Sequence, residues 1–115
     1  ITPLSIEGLR GKNLLGSLNF STLKWFLEKY RDEDDIALIL YEKDPDSAYQ
    51  KLIEIIKKLG YEPEHIPDII IYSDRLSRFE EPRLIAVTDG IISSPETKEE
   101  WLEWAKKFGR EIIGV

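Results

Sequence analysis

The 115-residue sequence predicts a three-layer α/β domain, a mostly parallel or mixed four-stranded sheet with helices on its faces. Three features carry that expectation. "IALILY" (36–41) and the "IIIY" run within "DIIIYSD" (68–74) are apolar, as strands covered on both faces are. A segment of helical periodicity separates them, and strands alternating with helices imply crossover connections. Cap and turn residues also stand where those segments should begin and end.

Taken in order, residues 1–20 read as a glycine-containing, weakly patterned lead-in with a short strand near residues 3–6, and residues 21–115 as the α/β domain. In "STLKWFLEKY" (21–30), Leu23, Phe26, Leu27 and Tyr30 recur at helical spacing behind Ser21 as cap. Strand 36–41 follows. In "DPDSAYQKLIEIIKKLG", Asp44 caps a helix with Pro45 in its first position and Gly60 past its end. Ala48, Leu52, Ile56 and Leu59 form its apolar face, widened by Tyr49 and Ile53. Strand 68–74 is next, and "RLIAVTD" (83–89) reads as a third strand. A final helix over 95–108, capped by Ser94, should bury Trp101, Trp104, Ala105 and Phe108, and "EIIGV" closes the chain as a fourth strand. The link "SDRLSRFEEP" (73–82) has ten residues, short for a parallel crossover. It holds either a short helix around Leu76 and Phe79 or a wide hairpin, which leaves the direction of the third strand open.

Composition narrows the chemistry. The absence of cysteine excludes disulfides and thiolate sites, and a lone histidine, His65, makes a zinc centre untenable. No Ser-His-Asp set or G-x-S-x-G elbow is present. A net charge of −6 disfavours non-specific attraction to nucleic acid or anionic membrane. Abundant Glu, Lys and Ile with scarce Gln, Asn and His suit a hot-living, archaeal-like source, and the cytoplasm is the expected compartment. The chain starts at Ile1, not Met, and is read as a domain of a larger protein.

Two groups of residues are candidates for function. Glu42, Asp44, Asp74 and Asp89 lie at or just past the expected carboxyl ends of strands, where open parallel sheets bind ligands. Converging there, they would hold Mg²⁺ for phosphoester or phosphoryl-transfer chemistry. The simpler reading, preferred here, is structural: Asp89-Gly90 as a turn, Asp44 as a cap, Asp74 bonding its own loop, with no metal or other cofactor. The second group is Arg10, Lys12, Lys24 and Trp25. No acid occurs from Gly8 to Leu27, and Trp25 lies off the apolar stripe of its helix. Gly11-Lys12 is not a Walker loop, because Ile6 and Asn13 occupy positions that motif reserves for Gly and Ser/Thr. An aromatic anchor with a positive rim suits docking to a protein partner, a neighbouring domain or a second copy of the chain. The alternative is that Trp25 merely covers the lead-in. Arg75, Arg78 and Arg83 are interleaved with Asp74, Glu80 and Glu81, so they read as neutralised surface rather than a nucleic-acid patch.

Overall fold

A computed structural model of the chain describes residues 11–33, 35–42, 44–72 and 80–115. Nine main elements alternate along it: β1 (Lys12–Gly16), α1 (Phe20–Tyr30), β2 (Ile36–Tyr41), α2 (Pro45–Lys58), β3 (Asp68–Tyr72), α3 (Glu80–Val87), β4 (Gly90–Ser93), α4 (Glu99–Lys107) and β5 (Glu111–Gly114). The sheet has five strands in the order β3-β2-β1-β4-β5, and every neighbouring pair is parallel. The α/β layered architecture is as the sequence predicts, with one strand more and, among the described residues, no antiparallel pairing.

The pleat sorts the core into two layers, because successive strand residues face opposite ways. Leu14, Leu38, Leu40 and Ile92 pack beneath α1 and α2, together with Leu23, Phe26, Leu27, Leu52 and Ile56. Leu15, Ile39 and Ile91 pack on the other face against Leu84 and Ile85 of α3 and Trp101 and Ala105 of α4. Each such side chain taken fully from water contributes about 1.5–3 kcal/mol before the entropy of ordering it. The helical stripe Leu23, Phe26, Leu27 and Tyr30 is buried as its spacing requires.

Four sequence expectations change. Residues 12–16, inside the expected lead-in, form the central strand, and its two leucines are completely buried. Residues 83–89 are not a strand: Glu80–Val87 is helical, with Leu84 and Ile85 buried, Thr88 is buried just past its end, and the strand is Gly90–Ser93. The crossover from β3 to β4 therefore spans the chain from residue 73 to 89, long enough for parallel pairing. Cap positions also move. Asn19, not Ser21, caps α1, its Oδ1 accepting from the Thr22 N–H at 2.8 Å. The last helix begins at Glu99, after a turn in which the Ser94 N–H donates to Thr97 Oγ1 at 2.9 Å. Finally, Tyr49 and Phe108 are exposed, while Ile55 joins the core. The expected strand near residues 3–6 lies outside the described residues.

Candidate functional site

The five described strands run the same way, so the sheet has one carboxyl edge and one amino edge, against which the described candidate residues can be placed. At the carboxyl edge, β1 leads into α1 on one face and β4 leads towards α4 on the other. This is the point where the strand order reverses direction, and in open α/β sheets it opens a crevice. Two loops border it, 17–19 after β1 and 94–98 after β4. Asn19 spans them. While its Oδ1 caps α1, its Nδ2 donates to Ser94 Oγ at 3.0 Å and to Glu96 Oε2 at 3.4 Å. Thr97 Oγ1 in turn donates to the Ile92 carbonyl at 3.3 Å, tying the second loop to β4. Gly16 ends β1 under this loop because a Cβ there would stand 2.9 Å from the Thr22 methyl.

Glu42 directly follows β2 and is half-buried at the same edge. Burial pushes its carboxyl above the ordinary 4.5, Lys51 and the Leu18 N–H oppose the shift, and Glu96 adds to it. Asp44 is exposed and caps α2, its Oδ1 accepting from the Ser47 N–H at 3.3 Å. Between α1 and α2 lies an open groove of about 540 Å³, bordered by Asn19, Phe20, Lys51, Ile55, Lys58 and Glu96.

The amino edge holds Asp89. It precedes β4 and pairs with β1 through the backbone: its N–H donates to the Asn13 carbonyl at 2.8 Å, and its Oδ2 accepts from the Asn13 N–H at 2.6 Å. Of the candidate carboxylates, Glu42 and Asp44 stand at one edge and Asp89 at the other, so these three do not converge, and Asp74 lies outside the described residues. The cause is the displaced strand, which moves Asp89 from the end of one strand to the start of the next. Among the described residues no group of three or more His, Asp or Glu side chains is placed to hold a metal ion.

The docking group also sorts by edge. Lys12 begins β1 and Tyr30 ends α1, both at the amino edge, with the Lys12 Nζ 5.7 Å from the Tyr30 ring centre. Trp25 is half-buried, packed on the core beside Tyr30 with ring centres 5.8 Å apart, and Lys29 Nζ lies 5.0 Å from its indole. Lys24 is exposed on the same helix. Among the described residues, Lys12, Lys24, Lys29 and Arg31 have no carboxylate within ion-pair distance. Arg10 lies outside the described residues. The sequence did not single out Asn19, Lys51 and Lys58, which border the groove, or Lys29, which lies over Trp25. Only Asn19 carried a local signal, three residues before Thr22 in a chain leaving "NLLG".

No protein-family model matches the sequence. No curated protein matches it either. Among solved structures it is similar to eIF2B beta from Chaetomium thermophilum, with a TM-score of 0.58 at 16% identity, over 96% of this chain and 34% of that one. It is also similar to the N-terminal domain of Candida albicans trehalose-6-phosphate phosphatase, with a TM-score of 0.55 at 16% identity, over 95% of this chain and 28% of that one. The chain thus spans about a third of the length of either, and at this identity the likeness concerns the fold alone. Among the described residues no helix is long and apolar enough to cross a membrane.

Proposed function

We propose that this is a non-catalytic docking domain of a larger intracellular protein, which holds an acidic surface of a partner or neighbouring domain against the amino-edge half of α1. The observation that carries the reading is the packing of cations on aromatic rings there. Lys29 lies on Trp25, Lys12 and Lys29 each lie 5.7 Å from the Tyr30 ring centre, and Arg31 lies 5.9 Å from that of Tyr61. Such contacts contribute about 0.5–1 kcal/mol each at exposed sites, and they favour positions of Lys12 and Lys29 over the Trp25 and Tyr30 rings on a domain of net charge −6, while Arg31 stands beside Asp32 and Glu33. An acidic partner would be steered by the lysines and retained by the half-exposed indole.

The test is an NMR titration of the ¹⁵N-labelled chain with a Glu-rich synthetic peptide. The expected result is movement of the Trp25 indole resonance and of amides from residue 24 to 31, fading as salt rises. Lys29→Glu should abolish it, and Trp25→Ala should weaken it while costing about 1–2 kcal/mol of stability, less than a fully buried aromatic would. No movement on α1, or movement that survives Lys29→Glu, would overturn the reading.

A further inference from the structure

The groove at the other end of α1 has a composition that the docking surface does not explain. Its apolar lining is Phe20, at the first position of α1 and 45% exposed, with Ile55 and Pro95. Along its α2 wall stand Lys51 and Lys58, two helical turns or roughly 10 Å apart, neither ion-paired among the described residues. Ser21 faces them from α1, whose first turn carries no acid. One carboxylate, Glu96, lines the groove, and Glu42 lies within electrostatic reach of Lys51. A bare anion would meet the lysines but leave the phenyl ring uncovered. An apolar ligand would cover the ring but leave two ammonium groups beside it.

We infer that the groove binds a nucleotide. Of the small-molecule classes, this one brings together a flat face for Phe20, phosphates for Lys51 and Lys58, and sugar hydroxyls able to donate to Glu96. One end of the groove, at Asn19, Phe20, Pro95 and Glu96, borders the carboxyl-edge crevice, where open parallel sheets offer ligands a cleft. Nothing in the inference depends on docking at the amino edge, which uses other residues.

The test is a metal-free NMR and calorimetric titration of the chain with ADP, adenosine and pyrophosphate. ADP should move the amides of Phe20, Ser21, Lys51 and Lys58, and bind more tightly than either fragment. Phe20→Ala and Lys51→Ala/Lys58→Ala should each weaken ADP binding by about tenfold, the equivalent of about 1.4 kcal/mol. Lys107→Ala, on the exposed side of α4, should leave it unchanged. Phe20→Ala should spare pyrophosphate binding, and the double lysine variant should spare adenosine binding. Equal affinity for ADP and pyrophosphate would show that the ring contributes nothing and overturn the inference. So would shifts spread over all surface lysines, or none at the groove at millimolar ADP.

Discussion

At the amino edge of the sheet, Asp89 accepts a 2.6 Å hydrogen bond from the Asn13 N–H, and the Lys12 N–H donates to the Asp35 carbonyl at 2.9 Å. At the carboxyl edge, Glu42 is half-buried with its carboxyl pushed up by desolvation, and Asn19 reaches across from one loop to another. One edge uses its polar groups to close the backbone hydrogen bonds of β1. The other leaves a carboxylate imperfectly solvated beside a groove. The same side-chain chemistry is structural where a backbone N–H takes its charge and available for recognition where none does so fully. A short distance to an acid therefore says little about function until its partner is known.

Breaking the amino edge should have the largest effect. Gly11 has φ +69°, and a Cβ there would stand 2.6 Å from the Asp35 carbonyl oxygen, a backbone atom that cannot rotate away. Gly11→Ala should cost about 3 kcal/mol, read as a lowered urea midpoint, by combining left-handed strain with a displaced β1–β2 connection. Asp89→Ala should cost less, about 1 kcal/mol, because the side chain is exposed and water can replace it at the Asn13 N–H. If Asp89→Ala were without effect, the contrast between the edges would fail.

The smallest effect sharpens the other side. Because the folded Glu42 carboxyl titrates above its ordinary 4.5, protonation favours the folded state. The native Glu42 protein is therefore most stable relative to Glu42→Gln below that value and loses ground as pH rises through the raised one. Thermal unfolding should show the two nearly equal at about pH 4 and Glu42→Gln slightly the more stable at about pH 7. The reverse ordering would mean that Lys51 and the Leu18 N–H outweigh burial.

Which of these residues could be placed in advance follows from how local their signals are. The stripe of α1, the apolar run of β2 and the Asp44-Pro45 start of α2 are each written within one element, so periodicity and cap chemistry sufficed. β1 offers only Leu14 and Leu15 between Asn13 and Gly16, too little for any period, yet it is the central strand. Leu84 and Ile85 suit a strand or a buried helix equally by composition.

By itself the sequence determined an α/β chain with alternating elements, without cysteine and with a single histidine, and an acid-free approach to α1. Only the tertiary structure decided that residues 80–87 are helix and 90–93 strand, because the parallel pairing of β4 with β1 demands a crossover of that length. That one shift carries Asp89 to the far edge of the sheet from Glu42 and Asp44. Side chains distant in sequence acquire a common site only through strand order and direction, and those are set by long-range pairing that no local pattern encodes.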